Sequence, residues 1–238
     1  MTAGLLIAAL FVAIGACAQS SVGFGLGLVA APVLAFVDDD FVPGPLLIVA
    51  LVLTTLVARR ERGRLDWHGV KWAVFGRIPG SIVGVIAVVL LPERGLIVLF
   101  AVLVIVAVVL SAAGWRLTPT TPALFTAGAA SGLMGSVTSI GGPPMALVYQ
   151  SRSGPELRST LALFFVFGSA LSITLLAIAG EVHRSDLGRA AVLAPAMLVG
   201  YGASRYVSHV LDHGYVRPVV LWFSALASVA LLVTELFA

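Results

Sequence analysis

Long apolar runs broken by short polar clusters dominate the chain. Stretches able to cross a bilayer, which requires about 20 residues, fall at roughly 4–37, 42–58, 69–91, 95–114, 122–150, 158–180, 187–208 and 217–237. Nearly all charge lies between them, at Asp38-Asp39-Asp40, Arg59 to Arg64, Pro92-Glu93-Arg94, Arg116, Arg152 to Arg158, Glu181 to Arg189 and Asp212 to Arg217. The pattern predicts an all-α polytopic membrane protein. The N-terminal run lacks a basic leader and continues past any plausible cleavage site, so it is read as retained structure.

Two runs have the wrong length. Residues 2–37 would form a helix of about 54 Å against a hydrocarbon core of about 30 Å. Gln19-Ser20-Ser21-Val22-Gly23-Phe24-Gly25-Leu26-Gly27 interrupts that run midway. Segment 122–150 is interrupted in the same manner by Gly135-Ser136-Val137-Thr138-Ser139-Ile140-Gly141-Gly142-Pro143-Pro144. Paired glycines and tandem prolines break helices. Irregular backbone at membrane depth survives only where protein buries it or a cavity lies beside it. Both stretches are therefore expected to be broken or re-entrant helices, non-helical over 18–27 and 135–144.

The breaks share an offset with a later feature. Gly25 and Gly141 are 116 residues apart, as are Pro79 and Pro195, Val83 and Val199, and Gly84 and Gly200. The expectation is one transport domain over 1–238, duplicated as 1–116 and 117–238. Each half would hold one broken helix and three ordinary ones. Small residues spaced by four, such as Gly76, Gly80 and Gly84, predict close helix crossings. The arginine-rich loop 59–68 is placed in the cytoplasm by the positive-inside rule, with Asp38 to Asp40 outside. A bacterial inner membrane is the expected location. Whether the second break crosses or re-enters changes the balance of basic residues by one, so inverted and parallel repeats both stay open.

Composition sharpens the class. Of 238 residues, 60% are hydrophobic and 11% charged, where a soluble domain has roughly 25% charged. This excludes a soluble enzyme, a nucleic-acid module and a disordered tail. The single cysteine, Cys17, excludes a disulfide framework. No metal spacing, nucleotide loop or nucleophile–base pair stands out, so neither catalysis nor a cofactor is expected. All eleven acidic residues fall at or near segment ends, which leaves no mid-membrane carboxylate to relay protons.

The chemistry concentrates at the breaks. A half-helix that starts inside the membrane presents unpaired N–H groups and a partial positive charge, and such termini bind anionic groups in transporters. Candidate binding residues are Gln19, Ser20, Ser21, Gly23, Gly25 and Gly27 at the first break, and Ser136, Thr138, Ser139, Gly141, Gly142 and Pro143 at the second. Arg77, about 12 Å into its helix, is the remaining candidate. Either it faces the bundle interior and a substrate anion, or it snorkels to the cytoplasmic face. Arg205 is expected to snorkel. Arg158 opens a helix and is a candidate gate. A coupling cation, if any, would need carbonyls and hydroxyls at the breaks, and a homodimer is one option for assembly.

At these breaks the chain resembles the TauE/SafE sulfite exporter family, also called toluene sulfonate uptake permeases. The resemblance rests on Gly15 through Pro32, on Ser131-Gly132-Leu133-Met134-Gly135 leading to Ile140-Gly141-Gly142-Pro143-Pro144, and on Arg158-Ser159-Thr160-Leu161-Ala162-Leu163. It implies a permease for a sulfite-like oxyanion or organosulfonate, bound between the broken helices by alternating access. A facilitated-diffusion anion channel and a transporter of small carboxylates are the alternatives, ahead of a membrane enzyme or a scaffold. The residues between the glycines, Phe24 and Leu26, and the Pro143-Pro144 pair depart from the family's glycine-triplet pattern, which leaves the substrate open.

Overall fold

The computed structural model describes residues 3–61, 65–112, 117–149, 151–152 and 154–211, with side chains to 206. The expected last segment at 217–237 lies outside the described residues. Among the described residues nine α-helices follow one another: α1 (Ala3–Val22), α2 (Leu26–Val37), α3 (Gly44–Arg60), α4 (Trp67–Leu90), α5 (Glu93–Ala112), α6 (Thr121–Thr138), α7 (Gly142–Tyr149), α8 (Gly154–Ile178) and α9 (Arg184–Leu211). A short 3-10 turn at Asp39–Phe41 precedes α3. There is no strand among the described residues. Among the described residues five stretches are long and apolar enough to cross a membrane: Ala3–Val22, Asp39–Arg60, Trp67–Leu90, Glu93–Ala112 and Gly154–Ile178.

Both broken segments fold back on themselves. The first break is confined to residues 23–25 and the second to 139–141, so each is shorter than the sequence pattern suggested. Gln19, Ser20 and Ser21 continue α1, because an apolar environment rewards every backbone bond a helix can make. Two glycines make the first turn, Gly23 at φ 101° and Gly25 at φ 137°, and Ser139 takes a left-handed φ of 61° at the second. The chain then reverses. Gly4 lies against Val37, and Gly15 against Leu26 and Val29, so α1 and α2 form an antiparallel hairpin. In the second hairpin Leu117 N–H donates to the Leu147 carbonyl at 3.3 Å, which brings the base of α6 beside α7.

The hairpins enter from opposite sides. The base of the first lies on the side of the Asp38–Asp40 turn that leads into α3. The base of the second lies where Tyr149 Oη donates to Asp66 Oδ2 at 2.8 Å. Asp66 caps α4 by accepting from Gly69 N–H at 2.8 Å, just after the arginine-rich loop. These faces are called the acidic and the basic side below.

Small residues set the packing. α4 packs on α6, α9 on α1, and α3 on α8. A Cβ at Gly76 or Gly80 would overlap the carbonyl oxygens of Phe125 and Ala129 on α6, and one at Gly200 would overlap Ala13 on α1. The backbones touch with no side chain between them, the approach that small-residue rows permit. Apolar side chains stay exposed around the outside, among them Phe36, Phe75, Leu90, Val109, Phe167 and Ile178, as a lipid-facing surface requires.

Candidate anion site at the hairpin tips

The two tips meet beside the middle of α3. A Cβ at Gly27 would overlap the Ser139 carbonyl, and one at Gly142 would lie 2.9 Å from Phe24 Cβ. Between them is a cavity of about 30 Å³, room for one or two water-sized groups. Gln19, Phe24, Gly25 and Gly27 line it from the first hairpin, and Gly135, Ser139, Gly141, Gly142 and Pro143 from the second. Leu47, Ala50 and Thr54 of α3, Arg77 of α4, and Phe165 and Ser169 of α8 close it. The breaks thus face one another around a shared cavity.

Arg77 gives this cavity its charge. It is 2% exposed, which decides between the two sequence readings in favour of the interior. Its Nη1 donates to Ser131 Oγ at 2.8 Å, its guanidinium stands 5.1 Å over the Phe164 ring, and its Nε is buried with no partner. None of the described ion pairs includes it. A buried ion left without a counter-charge costs several kcal/mol. Gly168 makes the room, since a Cβ there would overlap the guanidinium.

Polar backbone adds to the field. The first-turn amides of α2 and α7 have no intrahelical acceptor. One of these, Leu26 N–H, is met by Gln19 Oε1 at 3.0 Å, which turns the Gln19 amide across the tip. Pro143 and Pro144 carry no N–H, so α7 offers its donors at Gly141 and Gly142. The other candidates lie apart from the cavity. Ser136 Oγ pairs with Ser172 Oγ at 2.9 Å, and Thr138 Oγ1 donates to the Met134 carbonyl at 2.7 Å. Ser20, Ser21 and Gly23 are likewise outside its lining. The Ser20 carbonyl accepts from Arg60 Nη2 and the Ser21 carbonyl from Arg158 Nη1.

The family model described as sulfite exporter TauE/SafE matches residues 6–231. The chain belongs to that family. No curated protein and no solved structure matches it. This TauE/SafE protein is therefore a multi-pass membrane transporter by family, in agreement with its apolar helices.

Around the tips, the TauE/SafE chain closes its two sides differently. On the basic side Glu61 pairs with Arg60 at 3.3 Å and with Arg158 at 3.4 Å, and Arg60 also reaches Ser204 Oγ at 2.8 Å and the Tyr201 ring. The candidate gate Arg158 thus sits in a bridge across α1, α3, α8 and α9. Arg205 is exposed. On the acidic side a larger cavity of about 740 Å³ opens beside Asp38, Asp39, Asp40, Glu93, Glu181 and Asp186, with Arg189 and His183. The exposed carboxylates of Asp38 to Asp40 lie within 4.8 Å of one another, and Arg189 pairs with Asp40.

Sequence reasoning missed Ser131, Thr54 and Ser169. Thr54 is an inward hydroxyl bonded to the Ala50 carbonyl at 2.7 Å. In the sequence Ser131 stands out only as part of the family-like stretch Ser131 to Gly135. Nothing in an isolated serine of an apolar helix shows which face it occupies.

Proposed function

We propose that this chain is a permease for a small oxyanion, sulfite or a short organosulfonate, held between the hairpin tips when they part beyond the closed cavity described above, and released by alternating access. The observation that carries the reading is Arg77, a buried cation with no carboxylate partner among the described residues, in the wall of the cavity that both breaks share. Two half-helix N-termini and a guanidinium converging on one point suit an anion and repel a cation. The family's description as sulfite exporters agrees with that charge. Small carboxylates carry the same paired oxygens and are the second reading.

The opposed entry of the hairpins, the swapped pairing of α4 with α6 and α9 with α1, and the shared 116-residue offset support inverted repeats. With the arginine-rich loop in the cytoplasm of a bacterial inner membrane, the charge asymmetry favours export. Basic residues gather an anion on the cytoplasmic side. The carboxylates around the outer cavity discourage its return. Outward movement is also downhill by about 2.3 kcal/mol per charge per 100 mV. No carboxylate or histidine lines the tip cavity, so proton coupling finds no carrier there.

Proteoliposome counterflow is the test. Preloaded sulfite, methanesulfonate or taurine should drive uptake of the same labelled compound, and Arg77→Gln should abolish it. Counterflow that persists in Arg77→Gln would move the site elsewhere.

A further inference from the structure

We infer that Ser131 is a positioning residue that turns Arg77 into an oxyanion-selective fork, an inference that rests on the anion-site reading above. Ser131 is fully buried on α6. Its hydroxyl has one proton, which goes to the Gly141 carbonyl at 2.6 Å, an acceptor at the second break. Its lone pairs are thereby left facing α4, where they accept from Arg77 Nη1 at 2.8 Å. The hydroxyl can serve the guanidinium only as an acceptor, so it fixes which edge of Arg77 is occupied.

The other edge stays available. In a guanidinium, Nε and Nη2 share the edge opposite Nη1. Here Nε is buried without a partner, and Nη2 lies over Gly135, where a Cβ would stand 2.8 Å from it. One face is covered by α8 through Phe164 and Gly168. With a face and one edge fixed, the plane cannot rotate freely. Parallel N–H groups on one edge match two oxygens of a sulfonate, sulfite or carboxylate, and a spherical halide gains nothing from the pairing. Ser131 therefore selects shape, while the charge of Arg77 supplies attraction common to all anions.

The experiment compares methanesulfonate with bromide, two monoanions of different shape, by calorimetric binding to the purified full-length protein in nanodiscs. The wild type should prefer methanesulfonate. Ser131→Ala should weaken methanesulfonate about tenfold, the worth of an aligned charged hydrogen bond, and leave bromide within about twofold. Ser131→Thr, which keeps the hydroxyl, should restore the preference. Arg77→Lys keeps the charge without the fork, so it should lose the preference while still binding bromide, and it serves if Ser131→Ala fails to fold. Equal loss for both anions in Ser131→Ala, or an unchanged preference in Ser131→Ala or Arg77→Lys, would overturn the inference while the anion site stands. A wild type that binds neither anion, nor sulfite, would overturn the anion-site reading and this inference with it.

Discussion

The two hairpins solve the same problem with different chemistry. Each brings a broken helix to the centre of the protein and must satisfy the backbone freed there. The first does so with a neutral side chain, Gln19, which accepts from Leu26 N–H. At the second, the position 116 residues after Gln19 is Gly135, and the vacated space holds the Arg77 guanidinium. The position 116 residues after Arg77 is Leu193, a fully buried apolar side chain. One tip is therefore closed by its own amide and the other borrows a cation from the helix beside it. On the proposed anion-site reading, a second arginine facing Arg77 would add like-charge repulsion to the same cavity.

The largest effect should come from erasing the difference. Arg77→Leu makes the second tip as neutral as the first. Binding of sulfite or methanesulfonate should fall by about 100-fold or more, since two charge-assisted hydrogen bonds are lost together. The melting temperature should hold or rise, because replacing a buried unpaired ion with an apolar side chain is neutral or stabilising. A marked fall in melting temperature with binding intact would show Arg77 to be a structural residue.

Next comes the helix crossing that carries each hairpin. Gly80 lies against the backbone of α6 and Gly200 against that of α1, whereas Gly202 has nothing within 4 Å of its would-be Cβ. Gly80→Ala and Gly200→Ala should each destabilise by about 1–3 kcal/mol through overpacking, seen as a lower melting temperature in nanodiscs. Gly202→Ala should be neutral. If only one of the first pair is harmful, the hairpins are not carried in equivalent ways.

These contacts show how far the chain could be read in advance. Tandem prolines and paired glycines made the breaks legible, since in combination they favour a helix boundary. A lone arginine among apolar residues was legible for a similar reason, its cost in lipid. The extent of each break was not. Gln19 to Ser21 and Ser136 to Thr138 look like polar loop, yet Thr138 bonds back one turn and Ser136 bonds to Ser172 on another helix. A hydroxyl in an apolar helix can satisfy itself locally or reach a ligand, and the choice depends on the neighbouring helix, which spacing does not reveal. Ser131 was hidden for that reason, and so were Thr54 and Ser169.

A smaller effect is expected at the neutral tip. Gln19→Leu removes the acceptor for Leu26 N–H and leaves a buried donor unmet, which costs about 1–3 kcal/mol. Oxyanion affinity should fall less than in Arg77→Leu, because the guanidinium edge is intact. Equal losses in the two variants, measured by the same calorimetry, would mean that both tips hold the anion equally and that the contrast between them is only structural.

The smallest effect should be at Glu61, on the basic side of the first hairpin. Its carboxylate bridges Arg60 and Arg158, but both arginines also donate to carbonyls at the end of α1, Ser20 and Ser21. Those carbonyls carry the negative end of the helix dipole, so the arginines keep favourable partners when Glu61 is neutralised. Partly exposed ion pairs contribute about 1 kcal/mol or less, and Glu61→Gln should lower stability by no more than that, with the difference shrinking as salt is raised. The bridge does join α3 to α8 beneath the tip. If it restrains opening toward the basic side, Glu61→Gln should speed counterflow by about twofold, the rate equivalent of about 0.5 kcal/mol, at unchanged oxyanion affinity. Slower counterflow, or an affinity change as large as that of Gln19→Leu, would place Glu61 in the binding site and end its assignment to the closure.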